Sequence, residues 1–584
     1  MLTNFFFYFK SFERLVANWF PNWWEIDYFF NNNSFSVISY LVYFIIEFFL
    51  FFYIVITLIY WVSKFSYFAK GNFSDLNLKY LVRGLVLNIF DHFLTFYHEL
   101  FGLAVYVYFF LYRAVGPGQT LSIFFFFDHY SIFCRLFVFF TFLFSFFFFF
   151  KFAFFEYDPT IELPFLLGFI LFFCLILLTV FDFFLLYLVL EGITFLLCTI
   201  IASNYRSSLA LEAAIKYLVV SSLASGFIVY GIVWIFILTN QTNFLNFKLY
   251  VKIIKYCCLY NDLSFPVLLI SFGFLLKLGA FPFSLWTPDV YEGSPVFVTF
   301  FFIVCIKTVF IFVFFRLFFF VFYTFNFCWR WLFLVSALGS FVFGSLGAYT
   351  QKVLKRFFAY TSLNQLGFIL VSFCSSSALF GLASAIFFLI VYVFNNIIFF
   401  LAIFSFHNHQ SRSFYTLTDL RGFSFKNPLY SFFITLSLFS FIGLPPLSGF
   451  FSKFVILVVL ARSDFFFVIA IALLSNGISS FYYLRIIKLI WFDKPNFCRF
   501  NLKFIKHKNF SRSCVPFFLD DDGFILGYLH ILSVFTIFFI FFFNYLFKYC
   551  LYLSTICIVP VAVFYYPCTN FFLDIINYFV SFFF

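Results

Sequence analysis

Five charged residues lie inside long apolar runs of this sequence, where a charge has no ready access to water. They are Glu191, Lys216, Lys277, Lys307 and Lys453. Burial pushes a lysine towards its neutral form, whereas a nearby carboxylate favours the charged form. A row of buried lysines with one glutamate can therefore act as a set of coupled proton sites. The chemistry that these residue types indicate is proton translocation.

Each of these residues also has a structural interpretation. Lys216 is close to the start of its predicted helix, so its side chain could instead extend to the lipid headgroups. Lys277, Lys307 and Lys453 lie mid-span, where a charge costs roughly 3 kcal/mol or more. The whole row could also be a static packing network. We predict that the five residues lie in a line at mid-membrane depth, and that Glu191 controls the proton affinity of Lys216 or Lys277.

Membrane helices must position these residues. The chain has 584 residues, of which 65% are hydrophobic and 10% charged, and no soluble core requires so much apolar surface. Ten apolar spans fall into two groups of five. The predicted spans are 163–181, 183–204, 212–238, 264–292 and 296–322 in the first group, and 331–350, 353–373, 380–406, 429–462 and 466–491 in the second.

The fourth span of each group is interrupted beside a lysine. Gly279 to Pro282 breaks the first group's span after Lys277, and the stretch GLPPLSGFFSKF breaks the second group's span before Lys453. Unwound backbone at membrane depth is tolerated only inside protein or beside water. Interrupted segments at matching positions are typical of transporters built from repeats. We predict an all-α polytopic membrane protein with two inverted five-helix repeats, unwound near Gly279–Pro282 and Pro445–Gly449, plus extra N- and C-terminal helices.

The predicted domain organisation has six parts. Residues 1–120 form a divergent extension outside the proton-conducting unit, in which residues 80–113 could be a polar-faced span or an interfacial helix. The other parts are a peripheral transmembrane helix at 121–160, the first repeat at 161–325, the second repeat at 326–492, a basic loop at 493–523, and C-terminal transmembrane helices at 524–584 that begin with a span at about 524–548.

Charge and cysteine usage exclude several classes of protein. The net charge of +11 is concentrated in loops such as Lys248–Lys255 and Lys494–Arg512. This pattern predicts a positive side that orients the chain, or contacts with anionic lipid, and not nucleic-acid binding. Thirteen cysteines without a CxxC motif predict neither a disulfide framework nor an iron–sulfur site. The seven histidines lie outside the middle of the ten spans, and we assign them no role.

Several motifs together resemble the subunit 2 family of respiratory complex I, the proton-pumping NADH:ubiquinone oxidoreductase, known in bacteria as subunit N. The similarity covers about Ile161 to Trp491. The motifs that carry it, in the family's order, are LEAAIKY, LKLGAFPFSLWTPDVYEGSPVFVTFFFIVCIK, LKRFFAYTSLNQLGF, TDLRGF and GLPPLSGFFSKF. The family has a histidine where this chain has Ser284 and another where it has Gln365, so a histidine relay at these two positions is not expected.

The resemblance implies a fold of two inverted five-helix repeats with broken seventh and twelfth helices. It implies that Glu191, Lys216, Lys277, Lys307 and Lys453 match the family's proton-translocating residues. It also implies that the chain binds no redox cofactor, and that NADH, FMN, iron–sulfur clusters and ubiquinone belong to the whole complex. The implied partners are other membrane-arm subunits, including antiporter-like neighbours, and membrane lipids.

The sequence is compatible with three functions: a pump subunit of complex I, a stand-alone cation/proton antiporter of the related type, and a structural scaffold that has lost transport. Retention of all five charges disfavours the scaffold. The 123 phenylalanines against one methionine indicate nucleotide bias in an A+T-rich genome such as an organelle's. We therefore expect an organelle-encoded, multi-pass protein of the mitochondrial inner membrane.

Overall fold

Apolar helices make up almost all of the part of the chain that the computed structural model describes. It describes residues 119–120, 125–155, 162–204, 207–254, 262–375, 377–405, 416–493 and 521–558, together with 50, 51, 53–55 and 57. The predictions for nearly all of residues 1–120, for the basic loop after residue 493 and for the chain end after residue 558 lie outside the described residues. Two short antiparallel strands, Gln119–Thr120 and Phe126–Phe127, precede the first helix given below.

The predicted spans correspond closely to helices. The helices up to the end of the first group are α1 (His129–Phe155), α2 (Leu163–Leu177), α3 (Phe183–Ile201), α4 (Ser208–Thr239), α5 (Phe244–Ile254), α6 (Ser264–Leu278), α7 (Trp286–Gly293) and α8 (Val296–Val321). Those that follow are α9 (Asn326–Thr350), α10 (Leu354–Ser372), α11 (Ala378–Ser405), α12 (Phe423–Lys426), α13 (Pro428–Ile442), α14 (Ser448–Ala461), α15 (Phe466–Trp491), α16 (Asp521–Ile537) and α17 (Phe539–Ile558).

The protein is a multi-pass membrane protein. Seven helices in the described part of the chain are long and apolar enough to cross a membrane, namely α1, α3, α4, α8, α9, α11 and α15. The broken fourth spans consist of shorter helices, α6 with α7 and α13 with α14. At the span expected at about 524–548, α16 and α17 meet at an angle of 88°, which is the geometry of a broken span or a re-entrant loop.

The two five-helix groups have matching contacts. In the first group, the third helix α4 packs against both parts of the broken span, α6 and α7. In the second group, the third helix α11 packs in the same way against α13 and α14. This correspondence is what a repeat predicts, while the inversion of one repeat relative to the other stays a prediction. Helix α1 contacts α2, α8, α11 and α17, and most of its side chains up to Phe149 are buried.

Both predicted breaks are present, and a glycine in the left-handed region starts each one. Gly279 ends α6 with φ +67°, and Gly443 ends α13 with φ +88°. A Cβ atom on Gly279 would lie 2.3 Å from Thr287 Cγ2, so only glycine fits there. The second break covers Gly443 to Leu447 and is slightly earlier than predicted, since α14 already begins at Ser448.

A buried ion pair joins the start of α1 to the end of α8. Arg316 Nη2 lies 2.6 Å from Asp128 Oδ1, and the two side chains are 7% and 2% exposed. Arg316 Nη1 donates to the carbonyl of Leu178 at 3.0 Å, and the guanidinium lies over the Tyr130 ring. The start of α1 and two segments of the first group, at the ends of α2 and α8, therefore meet at one arginine.

Replacing Asp128 by alanine is expected to weaken this corner strongly. Breaking a buried ion pair on one side costs about 3–5 kcal/mol, because the remaining charge stays buried without its partner. Asp182→Ala is the matched control: Asp182 is also buried, but it caps α3 through Phe184 N and Leu185 N, a role worth about 1 kcal/mol. The measurement is the temperature at which the detergent-solubilised protein unfolds. Equal shifts in the two variants would show that the ion pair is not the dominant interaction.

Candidate functional site

Lys277 lies in the last turn of α6, directly before the break. Its side chain is 8% exposed, and its Nζ has no hydrogen-bond partner among the described residues. A cavity of about 10 Å³ adjoins it, which is at the lower limit for one water molecule. Its lining includes Tyr217, Ser221, Lys277, Trp286 and Phe310. A buried amine beside a small cavity that Ser221 also lines is a site where a proton can be held or released.

Glu191 lies in the middle of α3 and interacts electrostatically with Lys277. Its carboxylate accepts a hydrogen bond from Thr194 Oγ1 at 2.8 Å, and the residue is half-buried. No ion pair within 4 Å joins Glu191 to Lys277 or to Lys216 in the described part of the chain, so which of the two lysines it controls stays a prediction.

Lys216 lies in a different electrostatic setting, on the outer surface of α4. Its Nζ forms ion pairs with Glu212 at 2.8 Å and Asp289 at 2.9 Å, and the side chain is 43% exposed. Asp289, on α7, also pairs with Arg356 at 3.3 Å, and Arg356 Nε binds Glu292. Asp289 is 73 residues from Lys216 along the chain, and sequence reasoning missed this partner. A role of Lys216 in proton transfer stays a prediction.

Lys307 is buried between α8 and α10. Its Nζ donates to Ser362 Oγ at 2.8 Å and lies 5.7 Å from the centre of the Tyr291 ring. A π-helical turn, Phe302–Ile306, directly precedes it in α8. Such turns interrupt the regular hydrogen bonding of a helix and occur frequently at functional sites. Lys307 thus has a hydroxyl partner but no carboxylate partner among the described residues.

Lys453 is the most fully coordinated lysine of the row. Its Nζ donates to the carbonyls of Phe441 at 2.5 Å and Ile442 at 3.2 Å, and to Asn476 Oδ1 at 2.5 Å. The two carbonyls end the half-helix α13, where the helix dipole is negative and attracts a cation. Sequence reasoning missed Asn476, although a Ser-Asn-Gly stretch inside the apolar run of α15 was a visible signal.

The structure therefore places Lys307 against Ser362 of α10 and Lys453 against Asn476 of α15. It leaves Lys216 in a surface ion-pair cluster. The arrangement of all five residues in one line stays a prediction. Within the described ranges, no three His, Cys, Asp or Glu residues are grouped closely enough to hold a metal ion, and the described cysteines are free thiols.

Two residues depart from the family pattern that the sequence resembles. Ser284 lies in the break between α6 and α7 and is 8% exposed. Gln365 is 3% exposed on α10, and its side chain lies beside the Tyr483 hydroxyl of α15. Of the seven histidines, the structure describes only His129 and His530, at the start of α1 and on the surface of α16.

Comparisons with a family model and with curated proteins indicate the same family. The model of the family "NADH:quinone oxidoreductase/Mrp antiporter, TM" matches residues 181–479, a range that contains all five candidate residues. NADH-quinone oxidoreductase subunit N of Pelagibacter ubique is 34% identical over 296 residues, which are 50% of this chain and 61% of that protein. NADH-ubiquinone oxidoreductase chain 2 of Marchantia polymorpha is 30% identical over 332 residues, with 55% and 65% covered. This chain spans 60–64% of the first four bacterial relatives.

Solved structures show the same fold. A chain of respiratory complex I from Thermus thermophilus superposes with a TM-score of 0.59 at 20% identity, covering 79% of this chain and 99% of its own length. A chain of the Mrp complex from Dietzia sp. gives a TM-score of 0.66 at 17% identity, with 85% and 96% covered. The chain therefore belongs to the family of membrane-spanning NADH:quinone oxidoreductase and Mrp antiporter subunits.

Proposed function

We propose that this chain is a proton-translocating membrane-arm subunit of an NADH:quinone oxidoreductase, respiratory complex I. In this function, quinone reduction elsewhere in the complex drives proton transfer along the buried lysines and Glu191. The observation that carries the proposal is the burial of Lys277, Lys307 and Lys453, two of them beside the broken helices. The names of the curated relatives, subunit N and chain 2, support complex I over other assemblies of the family.

The proposal assigns the redox chemistry to other subunits. NADH, FMN, iron–sulfur clusters and ubiquinone would be bound elsewhere in the complex, and this chain would be part of the enzyme without a redox centre of its own. Its task is to convert a change in electrostatics into proton movement. Withdrawal of the Glu191 carboxylate would favour the neutral form of Lys277 and release a proton, and its return would reverse the step.

The outer face of α3 and α4 is where we place a neighbouring membrane-arm subunit. Large apolar side chains such as Leu188, Phe195 and Leu223 are exposed there, next to the ion pair of Lys216 and Glu212. Ion pairs inside membrane segments usually face protein or water and not lipid tails. Antiporter-like subunits are the neighbours that this proposal expects, with membrane lipids, including anionic ones, around the basic loops.

We also place the chain in the mitochondrial inner membrane, encoded by the organelle. The composition supports this location, because 123 phenylalanines and one methionine are what A+T-rich codons produce. The similarity to the Marchantia polymorpha chain is consistent with a eukaryotic source.

A stand-alone cation/proton antiporter is the alternative, and the fold similarity to a chain of an Mrp complex is the observation that favours it. The size of the native particle separates the two functions. We expect the chain to migrate on a native gel in a large assembly that stains for NADH oxidation. Migration in a small, NADH-inactive complex would refute the complex I proposal.

A further inference from the structure

A cluster of buried polar side chains lies between Lys307 and Lys453 on helices α10, α11 and α15. Each side chain is less than 7% exposed, although burial of a polar group is unfavourable unless the group is hydrogen-bonded. The members of this polar cluster are Asn364, Gln365, Tyr392, Tyr482 and Tyr483. None of them was singled out by the sequence as a candidate site residue.

Two consecutive tyrosines form the centre of the polar cluster. The ring centres of Tyr482 and Tyr483 on α15 are 4.5 Å apart. The Tyr483 hydroxyl lies beside Gln365 and Thr361 of α10. The Tyr482 hydroxyl faces Asn364 of α10 and Ser479 of its own helix. Both hydroxyls of α15 therefore face polar side chains of α10.

The polar cluster is connected at both ends to a lysine. At one end, Lys307 donates to Ser362 Oγ at 2.8 Å, and Ser362 adjoins Thr361 in the chain. At the other end, Lys453 donates to Asn476 Oδ1 at 2.5 Å, and Ser479 Oγ donates to the Asn476 carbonyl at 2.7 Å. Polar side chains thus extend from one buried lysine to the other.

Several atoms of the polar cluster have unused hydrogen-bonding capacity. Within the described part of the chain, Asn364 Oδ1, Gln365 Nε2, Tyr392 Oη and Tyr482 Oη are buried without a regular hydrogen bond. Each such group costs about 1–3 kcal/mol when it stays unsatisfied, so four in one cluster require an explanation. One explanation is that these groups exchange their hydrogen bonds while protons pass through the cluster, directly or through water.

We propose that Tyr482 and Tyr483 relay protons between Lys307 and Lys453, an inference that rests on the proposed function. Gln365 stands where the resembling family has a histidine, and an amide cannot take up and release a proton as an imidazole does. Tyr483, in contact with Gln365, supplies an O–H group at that point. The tyrosines of α15 thereby replace a relay group that α10 lacks.

When the transfer is complete, both relay phenols are neutral again. Charged Lys307 loses one N–H bond, and its proton passes through the Ser362–Thr361 hydroxyls or an intervening water to the Tyr483 oxygen. Tyr483 then releases its original proton to Tyr482. Tyr482 in turn releases its own original proton towards neutral Lys453, where a new N–H bond forms. One proton has moved, and each phenol again carries one proton. Asn364, Gln365 and Asn476 orient the hydroxyls and are positioning residues.

The test uses Tyr482→Phe, Tyr483→Phe and the double variant in the complete complex, reconstituted into vesicles. Phenylalanine keeps the ring packing on Phe357 and Phe441 and removes only the hydroxyl. Because a positioned proton-transfer group contributes about 10²–10⁴-fold to a rate, proton pumping per assembled complex should fall by at least about tenfold. Tyr549→Phe is the matched control, since Tyr549 is also buried but lies on α17, outside the polar cluster.

A rescue variant separates a relay from a packing role. Gln365→His in the Tyr483→Phe background puts a titratable group beside the missing hydroxyl, so we expect pumping to return in part, which a packing defect would not allow. Normal pumping by the assembled double variant, while Lys307→Ala and Lys453→Ala complexes do not pump, would overturn the relay. Normal pumping by the lysine variants as well would instead refute the proposed function.

Discussion

Replacing Lys277 by alanine is expected to abolish proton pumping while the protein still folds and assembles. Lys277 Nζ makes no hydrogen bond within the described residues, so its removal leaves no donor or acceptor unsatisfied. What is lost is the charge that responds to Glu191. An approach of Glu191 to about 4 Å would be worth roughly 4 kcal/mol at an effective dielectric constant of 20, which is enough to switch a proton site. The measurement is proton pumping during NADH oxidation by the reconstituted complex, and quinone reduction should also slow if the two are tightly coupled.

Two further variants test the reason for this loss. Lys277→Arg should not restore pumping, because a guanidinium does not readily release its proton. Glu191→Gln should impair pumping as well, whereas Glu212→Gln, on the exposed ion pair with Lys216, should have a smaller effect. Lys252→Ala, at an exposed lysine of α5, controls for the loss of a positive charge. Full pumping by assembled Lys277→Ala complex would show that this lysine is not on the proton path.

The positions of the spans and breaks could be predicted because their signals are local. A lipid-facing or buried helix needs an unbroken apolar run, and the end of that run marks the end of the helix. The breaks after Leu278 and Ile442 follow from glycine and proline in otherwise apolar runs. The mid-span lysines are visible for the same reason, since a single charge stands out among phenylalanines.

The partners of these lysines could not be predicted in the same way. Lys307 and Ser362 are 55 residues apart in the chain, and Lys453 and Asn476 are 23 apart. No local pattern specifies which polar residue of another helix will face a given lysine. Lys216 illustrates the difference, because its partner Glu212 lies four residues before it in the same helix, whereas its partner Asp289 comes from α7, 73 residues away.

Replacing Lys453 by alanine is expected to abolish pumping and, unlike the Lys277 variant, to destabilise the protein. The carbonyls of Phe441 and Ile442 and the amide oxygen of Asn476 all accept hydrogen bonds from Lys453 Nζ. Without the lysine, the two carbonyls remain buried at the end of α13, at about 1–3 kcal/mol for each one left unsatisfied. The helix dipole at the break also loses the cation that it attracts. Thermal unfolding of the solubilised complex and pumping after reconstitution should therefore both be affected.

Lys453→Arg separates the two roles of this residue. The guanidinium offers five N–H donors, so it can bind the carbonyls that end α13 and preserve most of the stability. It remains protonated, so it cannot take up a proton from the Tyr482 side and release it onward. We expect the arginine variant to assemble with nearly normal thermal stability and to pump no protons. Recovery of pumping together with stability would mean that Lys453 serves only to hold the broken helix in place.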